Sequence, residues 1–174
     1  GRILFVGREA GAHVKVRGFK LFPEAIEAEI LKHPDVRQCW VGAVGASDAD
    51  ARLECGVARA SGLDAAALRA WLKDRLPPHM VPVVFRDLGD QEEAVGKLNS
   101  GKRPPPRILA QRLASLPELE GGYDASLLSE DERRLAACWA SALKLPGDGR
   151  FAPTSSYFDF GGSLAFVALA ARVK

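Results

Sequence analysis

The chain has 174 residues, 47% of them hydrophobic and 26% charged, with a net charge of +2; this is the composition of a folded protein with room for one or two small domains. No basic run is interleaved with aromatics, no stretch nears the ~18 apolar residues of a membrane span, and no signal peptide is visible, so neither nucleic acid nor membrane is expected as a partner. Cys39, Cys55, Cys138 and His13, His33, His79 are scattered, which fits neither zinc spacing nor a disulfide framework; no metal site is expected, and the cysteines read as small core residues of a reducing, cytoplasmic compartment.

Arg2 to Arg8 is a short apolar run that reads as a strand, followed by a turn-like gap containing Gly11. His13 to Arg17 alternates, Gly18 breaks the run, and Phe19 to Phe22 resumes it, the signature of a β-hairpin with glycine at the bend. Pro23 to Lys32 carries helix signals: proline at the first position, Glu24 in the first turn, and Ile26, Ile30 and Leu31 on one side. Val36–Val44 and Arg52–Ala58 are strand candidates around a turn at Ser47–Asp50. Leu68, Trp71, Leu72 and Leu76 mark an amphipathic helix within Leu63–Leu76, stopped by Pro77 and Pro78, and Val81–Leu88 is a further strand. Strands and helices interleaved over about a hundred residues predict a small α+β domain.

The stretch Gly96-Lys97-Leu98-Asn99-Ser100-Gly101-Lys102-Arg103 sets glycines around lysines, as in a loop that carries an ammonium group to a phosphate. It lacks the spacing and the strand-to-helix setting of a P-loop, and taken alone it is equally a solvated basic turn. From Pro104 to Asp124 prolines and glycines interrupt the pattern, as in a linker; Ile108–Leu113 is expected to form a helical turn or two, and either Leu116 and Leu119 touch the first domain or the segment is an unattached flexible tether. Ser129 and Glu132 have the spacing of a capping box, opening a helix with Leu135, Cys138, Trp139 and Leu143 on its inner side. The chain then reaches Tyr157-Phe158-Asp159-Phe160-Gly161-Gly162-Ser163-Leu164, and Leu164–Lys174 reads as a helix. Ser163 falls at that helix's N-terminus, where free backbone N–H groups favour a phosphate; a plain serine cap after a glycine turn has the same local pattern.

Two resemblances join these pieces. Arg2 to Arg103 resembles the mobile C-terminal subdomain of the adenylate-forming enzymes, the peptide-synthetase adenylation domains and acyl-CoA ligases. "HVKVRGFKLFPEAIEAEI" is similar to that family's hairpin motif, and "GKLNSGKRPP" to its catalytic-lysine motif, which implies Lys102 as the lysine. The family's hinge aspartate has no counterpart, since Gly11 stands near its place and Glu9 is the nearest acid. Ser129 to Lys174 resembles the first half of a peptidyl carrier protein, whose serine holds a 4′-phosphopantetheine arm. That motif has one more residue between the glycine pair and its serine. Aligned from the second helix, Ser163 takes the serine's place, so the chain carries either a one-residue deletion or a modified serine between Ser163 and Leu164.

The resemblance implies an α+β adenylation subdomain at 1–103, a linker at 104–126, and at 127–174 the first two helices of an all-α carrier bundle. It implies a fragment of a nonribosomal peptide synthetase-like ligase, part of secondary metabolite biosynthesis and not catalytically complete alone. Lys102 would act in adenylation, Arg17, Gly18 and Phe19 would line the path of the arm, and Gly161, Gly162, Ser163 and Leu164 would carry it. ATP and Mg²⁺ would enter only in the intact enzyme. The implied partners are the N-terminal adenylation subdomain, a phosphopantetheinyl transferase and neighbouring synthetase domains. A second reading makes the subdomain a vestigial scaffold beside a carrier in a module with an inserted tailoring domain. The missing hinge aspartate favours it and Lys102 argues against it. A third, an unrelated α+β interaction domain with a helical tail, requires both resemblances to be chance.

Overall fold

A computed structural model describes residues 13–45, 51–60, 62–89, 95–97, 102–119 and 128–143. The strand expected near the N-terminus, the hinge position, the Ser47–Asp50 turn and the Gly161–Leu164 motif with its helix lie outside the described residues.

The hairpin forms as expected. Strand β1 (Val14–Val16) pairs antiparallel with β2 (Phe19–Leu21), with Val14 opposite Leu21 and Val16 opposite Phe19. Its two-residue turn has positive φ at both positions, 51° at Arg17 and 85° at Gly18. That pairing of left-handed residues matches the twist of a hairpin, and at the second position it favours glycine over any residue with a Cβ. Val14, Val16 and Leu21 point inward while Lys15 and Lys20 are exposed.

Phe22 is held extended by the proline that follows, and helix α1 (Pro23–Ile30) begins at Pro23, where the missing N–H costs nothing. Ile26 and Ile30 are buried together with Glu27. Leu31, expected on the same side, is 43% exposed because the helix ends at Ile30 and the chain turns outward.

Strands β3 (Val36–Val44) and β4 (Arg52–Arg59) pair antiparallel, and β5 (Val84–Asp87) pairs parallel to β4, giving the order β3-β4-β5. A parallel neighbour requires a crossover. Helix α2 (Ala65–Lys73) supplies it, started by Asp64, whose Oδ1 accepts the Ala67 N–H at 2.6 Å. Alternation along the strands gives the sheet two faces. Cys39, Val41, Leu53, Cys55, Val57 and Phe85 lie in one core with Ile26 and Ile30 of α1, Leu68 and Leu72 of α2, and the hairpin. Cys39 and Cys55 are buried free thiols, and burial, with Cys39 beside it, pushes the Cys55 thiol up, away from reactivity.

The opposite face is covered by the segment expected to be a linker. Helix α3 (Pro106–Ala114) places Leu109 and Leu113, both fully buried, with Leu116 against Ala58, Leu88 and Trp40. The approach is close: a Cβ on Gly56 would stand 2.9 Å from Leu113 and 3.0 Å from Leu88. Burying two leucines is worth about 1.5–3 kcal/mol each, more than a solvated tether could forgo. The chain then runs along the outer side of β5. Asp87 N donates to Pro117 O and Leu119 N to Phe85 O, both at 2.9 Å, so an otherwise open sheet edge is covered.

Helix α4 (Glu130–Leu143) opens on the predicted capping box. Glu132 Oε2 accepts the Ser129 N–H at 2.8 Å, and Ser129 Oγ accepts the Glu132 N–H at 3.3 Å. Ala136 and Ala140, not Leu135, face inward, packing with Leu128, Val83 and Val84. Leu135 is 39% exposed. Its buried side is thus turned by one residue from the one expected, with Cys138 and Trp139 flanking it.

The Ser129 hydrogen bonds, first from its N–H and then from its hydroxyl, hold Glu132 below the usual carboxylate range. A folded value below the unfolded one stabilises the helix start above the ordinary glutamate pKa, and that support is lost as pH falls through the lowered value. Carbon-detected NMR titration is expected to find Glu132 titrating below a free glutamate, and Ser129→Ala, which removes the hydroxyl but keeps the N–H, is expected to move it part of the way back up. An unshifted Glu132 in the native chain would contradict the cap.

Candidate functional site

The two stretches singled out in the sequence are joined by a partly buried ion pair. Arg103, directly after Lys102, turns its guanidinium back onto α1: Nη1 donates to Glu27 Oε2 and Nη2 to Glu27 Oε1, each at 2.8 Å. Nη2 also donates to the Val41 carbonyl at 2.9 Å, and Glu27 Oε1 accepts the Val41 N–H at 2.7 Å. The planar fork of arginine fits a carboxylate in this bidentate way, whereas a lysine ammonium cannot. Glu27 is only 8% exposed, so its charge depends on these donors.

The other side of the loop is pinned from α3. Arg112 Nη1 donates to the Lys97 carbonyl at 2.9 Å and to the Val95 carbonyl at 3.2 Å. Gly96 lies directly on the Trp40 ring, where a Cβ would overlap the ring carbons. The Arg103 guanidinium stands 5.5 Å from the centroid of the same ring. Trp40 therefore forms a floor shared by both ends of the loop. Lys102 is exposed at the end of this anchored frame.

The hairpin presents a different surface. Phe19 is 49% exposed and stacks on His79 with ring centroids 4.3 Å apart. Arg17 and His79 line a small cleft together with Val16, Leu53 and Val81. Gly18 is exposed, with open space where a Cβ would be. Among the described residues no group of three or more His, Cys, Asp or Glu could hold a metal ion, and no helix is long and apolar enough to cross a membrane.

The expected residues Lys102, Arg17, Gly18 and Phe19 thus lie on one folded unit. Gly161, Gly162, Ser163 and Leu164 lie outside the described residues. The sequence reading missed Glu27, Trp40, Arg103 and Arg112. The available signal was a carboxylate set between Ile26 and Ile30 on the inward side of a short helix.

Part of this unit is similar to a known family. The family of AMP-binding enzyme C-terminal domains matches residues 25–97. Over this stretch the chain is similar to the C-terminal subdomain of AMP-binding, adenylate-forming enzymes. It is 35% identical over 179 residues to phosphinothricin tripeptide synthetase PhsC of Streptomyces viridochromogenes, covering 100% of this chain and 15% of that protein. It is 32% identical over 184 residues to enterobactin synthase component F of Shigella flexneri, covering 100% of this chain and 13% of that protein. With syringomycin synthase SyrB1 of Pseudomonas syringae pv. syringae it shares 29% over 182 residues, 100% of this chain and 28% of that one. The chain spans less than a third of each of these relatives. Among solved structures, apo MatB from Rhodopseudomonas palustris superposes with a TM-score of 0.50 at 25% identity, over 61% of this chain and 20% of that one. The o-succinylbenzoate coenzyme A synthetase of Bacillus subtilis in complex with AMP gives 0.50 at 19% identity, over 63% and 20%. The described α+β fold is shared with these two structures.

Proposed function

We propose that the chain is part of a synthetase module that activates a carboxylic or amino acid as an acyl-adenylate and loads it as a thioester on its own carrier domain. The observation that carries this reading is the extent of the similarity. The alignments to the three synthetases run through the whole chain, whereas the subdomain family covers only residues 25–97. In this reading residues 1–103 are the adenylation subdomain, 104–126 a connecting segment whose first half is docked on the sheet, and 127–174 the start of the carrier. The N-terminal adenylation subdomain, neighbouring synthetase domains and a phosphopantetheinyl transferase are its partners.

Adenylation joins a carboxylate to the α-phosphate of ATP and releases pyrophosphate. Negative charge grows on the phosphate oxygens, and an ammonium group held there stabilises the transition state. Mg²⁺ would be bound with ATP in the intact enzyme. Lys102 supplies the ammonium in this reading, exposed beside the anchored Arg103. A second lysine competes for the role. The family match ends on Lys97, whose carbonyl is held by Arg112. For the second half-reaction the Arg17-Gly18 turn, with Phe19 beside it, offers exposed backbone along which a slender arm can pass. A 4′-phosphopantetheine arm would supply the thiol that takes the acyl group. Ser163, or a modified serine beside it, would hold that arm with Gly161, Gly162 and Leu164 around it. Tethering carrier and subdomain on one chain raises the carrier's effective concentration at the site.

The test is intact mass and peptide mapping across residues 157–172, before and after treatment with a phosphopantetheinyl transferase and coenzyme A. An arm on a serine of that peptide is expected. An unmodified peptide would remove the carrier function and leave the adenylation subdomain.

A further inference from the structure

Lysines reach a phosphate with precision only if the backbone that bears them is fixed, because a four-carbon side chain adds its own freedom to that of the loop. In this fold both flanks of the lysine loop are held by arginines that have no part in the chemistry described so far. Arg103 grips Glu27 with both arms of its fork and the Val41 carbonyl with a third bond. Arg112 reaches from α3 to the carbonyls of Val95 and Lys97. Glu27 belongs to α1, which continues directly from the hairpin, so the same ion pair ties the lysine loop to the element presented in the thioester step. Seventy-six positions separate Glu27 from Arg103, and nothing local holds the two together.

We propose that Arg103 and Arg112 are positioning residues that fix the two ends of the lysine loop, with Glu27 and Trp40 as their anchor, so that the loop's ammonium and the hairpin move as one body. This rests on the adenylation role proposed for the loop. A guanidinium that merely satisfied a buried carboxylate would affect stability and both half-reactions alike. One that positions the lysine affects adenylation alone, and only while the lysine is there.

The intact synthetase is assayed for ATP–pyrophosphate exchange with the best acid from an amino-acid and carboxylic-acid panel. Thioester formation is then measured separately with the corresponding synthetic acyl-adenylate. Arg103→Lys keeps a charge opposite Glu27 but loses the fork, and guards against a variant that fails to fold. Arg103→Ala, Arg103→Lys and Arg112→Ala are expected to lower the kcat of adenylation by about tenfold to a hundredfold, the scale of a displacement near 1 Å. KM for ATP and the thioester step should change little. In the background of whichever of Lys97→Ala or Lys102→Ala lowers adenylation more, the arginine substitutions should add almost nothing to the residual rate. Losses that multiply in that background, or that fall equally on both half-reactions, overturn the positioning role. If neither lysine matters while the arginine losses remain, the lysine reading has failed and this proposal with it.

Discussion

On the proposed reading, Lys102→Ala in the intact synthetase is expected to cut acyl-adenylate formation by about a hundredfold to a thousandfold, the usual loss when one charge-stabilising donor is removed from a transition state. Transfer from a supplied acyl-adenylate to the carrier should be unchanged, because the ammonium acts on phosphate oxygens that have already departed. Lys97→Ala is the paired measurement, since the two lysines flank the same loop and only one can occupy the site. Lys97 starts from a backbone fixed by Gly96 on Trp40 and by Arg112. Lys102 starts from the anchored Arg103. A large loss at one and a small loss at the other assigns the role. Full activity in both variants would end the catalytic reading of the loop. It would also revive the vestigial scaffold, a reading that similarity to three synthetases does not favour.

What the sequence made legible was whatever is decided within a few residues. The Arg17-Gly18 turn requires two positive φ angles and sits between alternating runs, so hairpin and register follow from the text of the chain. Pro23 starts α1 and Ser129 caps α4 for equally local reasons. The reading failed where the partner is distant. The prolines from Pro104 to Pro106 suggest a tether; the helical turns expected over Ile108–Leu113 form and Leu116 and Leu119 are buried as expected, but the sheet face that receives Leu109 and Leu113 was not foreseen. The floor that receives them includes Gly56 on β4, and nothing near residue 109 announces it. In the same way the inward side of α4 is chosen by Val83 and Val84, which favour the small Ala136 and Ala140 over Leu135. The site divides likewise: the glycines and lysines are visible as a motif, but the arginines that hold them act across 76 and 15 positions.

The largest stability effect is expected at Arg86. Its partner Glu54 is wholly buried on the sheet face that α3 covers, where an ionised carboxylate survives only with close compensation. Arg86 Nε donates to Glu54 Oε2 at 2.9 Å, and Arg52 Nη2 lies 2.7 Å from the other carboxylate oxygen. Arg86 Nη1 also donates to the Leu116 carbonyl at 3.2 Å and lies 3.5 Å from Glu118, so the same side chain fastens the segment that returns along β5. Arg86→Met should destabilise the subdomain by about 3–5 kcal/mol, because it leaves a buried charge short of a partner. The double variant Arg86→Met, Glu54→Met should recover much of that loss, since an apolar pair of similar volume removes the charge as well. Arg59→Ala is the contrast. Its bond to Asp87 is 3.4 Å long with Asp87 about a third exposed, and it should cost no more than about 1 kcal/mol. Amide hydrogen exchange in β4 and β5 of the intact protein reads all three, and also reports whether the helix after Pro105 loses protection along with the sheet. Equal, small losses for Arg86→Met and Arg59→Ala would mean that Glu54 finds compensation elsewhere. Loss confined to β4 and β5, with α3 still protected, would mean that Leu109 and Leu113 hold the helix without Arg86.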